Sequence, residues 1–239
     1  MSVKIALLTR NDAESVEITL KKFNDSKIDK NDVLIIDGQS TDDTLEIIRN
    51  SGFDFLIQEK RGRGNAFRLA CREVDADYVI LFSSDGEESF EDLLELFSLL
   101  KNALPEEYDL IIMSRLKNGN YFKSRYNPKY IPRLFILKLF NLITNMFFNR
   151  TDEKITDCWN GFRAINRKRF MDLKTRENFH GIELESTIKM LKAGCKVKEL
   201  PTIEEERISG ESKLPPFQTI AELFKLVWRE YDIINQKNI

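Results

Sequence analysis

Short apolar segments rich in Val, Ile and Leu recur through the first half of the chain, each followed by a stretch with helical periodicity. They are VKIALLT (3–9), DVLIID (32–37), DFLI (54–57), YVILF (78–82) and YDLIIM (108–113). Their apolar runs are nearly continuous rather than alternating, the pattern of strands buried on both faces of a parallel sheet. Helical patterns fall near residues 13–24, 41–50, 64–74 and 89–103. Ser40 and Ser89 read as N-caps, each with an aspartate three residues on, in the manner of a capping box. This rhythm predicts an α/β fold with a Rossmann-like, mixed but mainly parallel sheet and helices on both faces. Ligands of such sheets bind at the carboxyl ends of the strands.

The polar residues with the most chemistry fall at those ends. Thr9 closes the first strand and Asn11 follows it, Asp37 closes the second before GQSTDDT, and Arg63 and Gly64 lie in EKRGRGN (59–65) after the third. After the fourth, LFSSDGEES (81–89) crowds Asp85, Glu87 and Glu88 into four residues where a buried strand surfaces. Each piece also has a plainer reading. Asp37 suits a helix-starting turn, glycine-rich turns are common, and carboxylates are favoured at a helix start by its dipole. The P-loop and dinucleotide-binding fingerprints are both absent.

At 239 residues, with 42% hydrophobic and 32% charged residues, the chain can bury a sizeable core, and disorder is excluded as its default state. No clean linker divides it, so residues 1–216 read as one domain and 217–239 as a C-terminal amphipathic helix. Three cysteines without a CxxC spacing support neither a disulfide framework nor a zinc site and suit reduced cytosolic thiols. The N-terminal MSVKIALLTRND reads as a first strand rather than a signal peptide, and no apolar run reaches the roughly 20 residues of a spanning helix. The single histidine, His180, reads as a surface or structural residue.

The order of the motifs says more than any one of them. VLIIDGQSTDDT, KRGRGNA, YVILFSSDGEES, IIMSR, DCWNGFRAI and ERISGESKL follow one another along the chain. In that order they resemble the polyprenyl-phosphate glycosyltransferases, relatives of dolichol-phosphate mannosyltransferase in glycosyltransferase family 2, which have the GT-A fold. The resemblance spans residues 3 to 216, and RISGESKL is its most distinctive piece.

The resemblance implies an inverting transferase that moves a sugar from a GDP- or UDP-linked donor to a polyprenyl (dolichyl-type) phosphate or other lipid-linked acceptor, in the making of cell-envelope glycans. It implies Mg²⁺ or Mn²⁺ held by Asp85 and Glu87 in a DxD-like motif, and a base or ribose contact at Asp37. Arg207, Ser212 and Lys213 match the RxxGESK loop, expected to fold over the donor and grip phosphates. Arg115 and Lys138 fall near basic positions for the acceptor phosphate, and Asp157 and Glu185 near acidic positions beside the sugar. Asp85, Asp157, Arg207 and Lys213 are thus the candidate catalytic residues. Three departures stand out: Ser83 where an aspartate often opens the metal motif, Gly38 for a frequent aspartate, and Arg10 for a common aromatic near the base. Two other activities stay open: transfer to a glycan hydroxyl, which normally calls for a carboxylate base, and a non-catalytic nucleotide-sugar-binding subunit.

Residues 115–150 hold eight Lys or Arg, eight aromatics and no acidic residue. A mobile basic loop is expected at 115–130, then a helix at 131–148 with Arg133, Lys138, Asn141 and Asn145 as its polar stripe. The helix suits either burial in the core or an interfacial position on an anionic membrane. Single-stranded nucleic acid also suits basic aromatic stretches, but no nucleic-acid-binding signature accompanies this one. Peripheral contact with the cytoplasmic membrane face is the expectation. A helix near 183–193, a strand at 196–200 and a helix from Phe217 to about Asn235 complete the chain.

Overall fold

The computed structural model describes residues 1–104, 107–117, 131–208 and 216–236. The predicted strands form: β1 (Val3–Thr9), β2 (Val33–Asp37), β3 (Asp54–Ile57), β4 (Tyr78–Ser83), β5 (Leu110–Ser114) and β7 (Val197–Pro201). One strand, β6 (Arg163–Asn166), is a four-residue addition that the sequence pattern did not signal. The helices are α1 (Ala13–Asp25), α2 (Thr44–Ser51), α3 (Arg63–Glu73), α4 (Phe90–Asn102), α5 (Ile131–Phe147), α6 (Arg167–Asp172), α7 (Ile182–Lys192) and α8 (Pro216–Gln236). The sheet order is β3-β2-β1-β4-β6-β5-β7. β6 runs antiparallel to β4 and β5, and the other pairs are parallel.

The continuous apolar strands are buried on both faces, as expected of a sheet covered by helices. Val3, Ile5 and Leu7 of β1 pack with Val16, Leu20 and Phe23 of α1 and with Leu93, Leu96 and Leu100 of α4. Ala6 and Leu8 face the other way, into a cluster with Phe67 and Cys71 of α3, Phe140 of α5, and Ile188 of α7. Edge-on ring pairs knit the first face, Phe23 to Phe90 at 5.0 Å and Phe82 to Phe162 at 5.3 Å between centroids. Leu223 and Leu226 of α8 join the second cluster, so the C-terminal helix is packed onto the domain.

Ser89 caps α4 as predicted, its hydroxyl accepting from the Asp92 amide at 3.2 Å. Ser40 does not cap α2, which begins at Thr44. Its amide and hydroxyl bond to the Asp37 carboxylate at 2.9 and 2.5 Å instead. The polar stripe of α5 is also corrected. Asn145 faces inward and bonds both the amide and the carbonyl of Ile155, at 2.9 and 2.7 Å, while Asn141 accepts from the Cys158 amide at 2.9 Å. The wet side of α5 is instead apolar: Phe135, Leu142 and Met146 are 70%, 59% and 61% exposed, with Lys138 among them. No helix of the described residues is long and apolar enough to cross a membrane. Most of the expected loop at 115–130 lies outside the described residues.

Cys71 and Cys158 are fully buried, and burial pushes both thiols up to about 12. Since the thiolate is the reactive form, an aromatic disulfide reagent at pH 8 should leave both untouched in the native protein and modify all three cysteines in denaturant. Rapid native labelling of either would show that the α3 face is open.

Candidate active site

The strand order reverses around β1, and a cavity of about 300 Å³ opens there at the carboxyl edge of the sheet. Thr9, Gly38 and Gln58 form its wall at the ends of β1, β2 and β3; Ser83, Asp85, Glu87 and Glu88 enter from β4. Arg63, Arg115, Trp159, His180, Glu183 and Arg207 complete the groups that matter for chemistry. Six carboxylates line this cavity against four guanidiniums, and burial holds His180 below the ordinary imidazole value, so near neutral pH the lining is net negative.

The acidic turn after β4 is built by its own backbone. Glu88 folds back to accept from the Ser83 amide at 2.6 Å and its hydroxyl at 3.2 Å, while the Asp85 carboxylate accepts from the Glu87 amide at 3.2 Å. The segment after β7 then docks along it. The Glu205 amide donates to the Glu87 carbonyl at 2.8 Å, and the Ile208 amide to that of Asp85 at 3.2 Å. This places the Arg207 guanidinium 2.9 Å from Asp85 and 3.3 Å from Glu87. Burial, reinforced by the Glu87 charge, pushes the Asp85 carboxyl up against the pull of Arg207. Burial likewise pushes Glu88 up to about 8. These are carboxylates short of positive charge.

Among the described residues no group of three or more His, Cys, Asp or Glu side chains is preformed as a metal site. What the turn offers is two hard oxygen donors side by side in a net negative cavity. That suits a dication that completes its shell with water and substrate phosphate oxygens, as Mg²⁺ commonly does. The donor set fits such an ion.

Arg115 reaches the cavity from the end of β5 with Asp157 behind it. Its backbone amide, Nε and Nη2 donate to the Asp157 carboxylate at 3.0, 2.8 and 3.0 Å. Asp157 is fully buried and absent from the cavity wall, so the structure makes it the holder of Arg115 rather than a group facing the sugar. Glu199 of β7 in turn accepts from the amides of Thr156 and Asp157 at 2.9 and 2.8 Å.

Other candidates are redistributed. Thr9, Arg63, Asp85, Glu87, Arg115 and Arg207 are brought together. Asp37 is fully buried and taken up by Ser40, behind the wall rather than on it. Asn11 accepts from the Thr41 amide at 2.8 Å and joins two loops. Gly64 is absent from the lining: a Cβ there would meet the Glu177 carbonyl oxygen at 2.0 Å, so its glycine serves close backbone approach. Glu185 is fully buried, accepting from the amides of Arg176 and Glu177 and pairing with Lys189 and Arg229. Lys138 lies on the exposed side of α5. Ser212 and Lys213 lie outside the described residues.

Glu183, Glu88, Trp159 and His180 line the cavity without having been singled out as site residues. Glu183 stands two residues before Glu185 on α7, about 200° round the helix. Only packing tells which of the two faces the site. Arg163 fixes that choice. Fully buried, it donates to the Glu183 carbonyl at 3.0 Å and to the Ser186 and Thr187 hydroxyls at 3.1 Å.

Removing one partner of a buried ion pair strands the other, at a cost of about 3–5 kcal/mol. Asp157→Ala should lose stability on that scale in urea unfolding. Pairing it with Arg115→Ala should recover part of the loss, whereas strictly additive effects would show that the pair is not coupled.

Comparisons with known proteins identify the family and the fold. Glycosyl transferase family 2 matches residues 5–174. Glycosyltransferase AglJ of Haloferax volcanii is 28% identical over 95% of this chain and 71% of its own length. The dolichyl-phosphate hexose transferase of the same organism is 26% identical over 93% of the chain and 91% of its own length. The undecaprenyl-phosphate mannosyltransferase of Micrococcus luteus is 28% identical over 90% and 88%. In fold, glucosyl-3-phosphoglycerate synthase of Mycobacterium tuberculosis, solved with Mn²⁺, UDP and glucosyl-3-phosphoglycerate, superposes with a TM-score of 0.69. That alignment has 15% identity over 97% of this chain and 80% of that one. The chain therefore belongs to glycosyltransferase family 2 and has the GT-A fold.

Proposed function

We propose that the chain moves a sugar from a nucleoside-diphosphate sugar to a polyprenyl phosphate with inversion at the anomeric carbon. The observation that carries this reading is the Arg207 bridge across Asp85 and Glu87, set in a net negative cavity at the sheet's carboxyl edge. Two relatives that match nearly the whole chain, named a dolichyl-phosphate hexose transferase and an undecaprenyl-phosphate mannosyltransferase, support the acceptor class.

An oxygen of the lipid phosphate is already anionic near neutral pH, so it attacks without a general base and needs only alignment and neutralisation. It forms the new bond to the anomeric carbon opposite the diphosphate; the old bond breaks and its electron pair leaves on the nucleoside diphosphate. Asp85 and Glu87 would hold a divalent cation, which would supply positive charge against that leaving group. Arg207 sits within reach of the same oxygens and stabilises the charge that develops on them. Thr9, Gly38 and Gln58 border the nucleoside end, with Asp37 shaping that wall through Ser40. Arg115, held by Asp157, faces the acceptor phosphate.

The exposed apolar row of α5 continues onto α8, where Phe224 and Trp228 are also exposed and Tyr231 meets Phe147 edge to face at 5.6 Å between centroids. Leu137, on the opposite, buried side of α5, lines the cavity, so one helix carries both the cavity wall and this surface. It suits peripheral docking on an anionic membrane, with Lys138 among the headgroups.

Purified protein with Mg²⁺ or Mn²⁺ should transfer label from a UDP- or GDP-sugar to polyprenyl phosphate in preference to a glycan offered beside it. Asp85→Ala should abolish this, and Arg207→Ala should lower turnover by about 10²–10³. Label appearing on the glycan alone would overturn the acceptor assignment. Separately, Leu142→Glu with Met146→Glu should release the protein from anionic vesicles in a sedimentation assay. Retention equal to the unaltered chain would remove α5 from the membrane surface.

A further inference from the structure

Arg63 enters the cavity at the corner where position 83 opens the acidic turn, and three of its surroundings hold it there. Its Nε is paired with Glu183. Its Nη1 donates to the Ser83 hydroxyl at 3.2 Å. Its guanidinium lies 5.5 Å from the centre of the Phe67 ring. The remaining nitrogen, Nη2, is 4.0 Å from the Glu88 carboxylate, which is beyond hydrogen-bond range. That nitrogen stands over Gly161, where a Cβ would come within 1.8 Å of it. Glu183 and Ser83 thus fix the guanidinium at the cavity wall, in a place that only a glycine at position 161 leaves open.

We propose that Arg63 is a fixed cation for the donor's diphosphate, and that Ser83 and Gly161 keep it available for that task. This rests on the nucleoside-diphosphate-sugar reading above. A carboxylate at position 83 would take Arg63 as its own partner, and each charge would cancel the other. Serine accepts one hydrogen bond and adds no second negative charge to that of Glu183. A guanidinium presents parallel N–H donors that match phosphate oxygens, and being fixed in advance it loses little freedom on binding. The consequence is a division of labour: the cavity holds a nucleoside diphosphate through Arg63 before any dication arrives, and its own affinity for a dication is low.

The test is equilibrium binding to the full chain, with UDP and GDP as probes in EDTA and in Mn²⁺, together with Mn²⁺ titration of the ligand-free protein by electron spin resonance. The unaltered protein should bind at least one diphosphate in EDTA. Arg63→Gln, which keeps the side chain's length and removes its charge, should weaken that binding tenfold or more and leave the Mn²⁺ affinity of the ligand-free protein unweakened. Gly161→Ala, which displaces the guanidinium without touching its charge, should do the same, with melting temperatures confirming that both variants fold. Ser83→Asp should tighten Mn²⁺ at least tenfold and remove binding in EDTA. Binding in EDTA that survives Arg63→Gln and Gly161→Ala, or binding by the unaltered chain that appears only with Mn²⁺, overturns the role of Arg63 and leaves the proposed reaction standing. Failure to bind either diphosphate under any condition overturns both.

Discussion

A sheet buried on both faces has only its ends at which charge can be hydrated, and this constraint organises the molecule. β1 and β4 carry apolar side chains on both sides, packed by α1 and α4 on one face and α3, α5 and α7 on the other. Polar groups are expelled to where the strands stop, because an unpaired charge between sheet and helix would cost far more than one facing a cleft. The ends of β1, β2 and β4 converge at the reversal of strand order, so the expelled groups meet in one cavity.

Within that cavity the side chains divide by burial. Asp157, Glu199 and Arg163 are almost wholly buried and spend their hydrogen bonds on backbone amides, carbonyls and Arg115. They orient. Asp85, Glu87, Arg63 and Arg207 are only half-buried and line the cavity, with Arg207 in contact with both carboxylates. The first set gives the second its geometry, as the supporting groups of a reactive site must. The short pairing of the 204–208 segment with the acidic turn couples the two halves of the chain, since it brings Arg207 to carboxylates more than a hundred residues earlier.

The apolar runs and their spacing made the sheet legible before any coordinates, because strand burial on two faces writes itself as continuous Val, Ile and Leu. β6 escaped: four residues, one of them a buried arginine, carry no such signal. The acidic turn and Arg207 were legible through an ordered set of motifs. The motif residues Asp37, Asp157 and Glu185 came through as positions, but the structure places their carboxylates off the cavity wall. A motif marks where an acidic residue must be and not which way it points.

What the amino-acid sequence determined by itself is local: strand and helix periods, the cap at Ser89, the crowding of carboxylates after β4. These depend on neighbours within a turn or two. What only the tertiary structure decided is which of two residues on one helix faces the site, Glu183 rather than Glu185. It also decided that the asparagines of α5 turn inward while its phenylalanine, leucine and methionine turn out. Gly64 of the third loop, likewise, serves contact with residues 177–178 rather than a ligand. Those choices are set by partners from ten to more than a hundred residues away, through close approach and hydrogen bonds that no local pattern encodes.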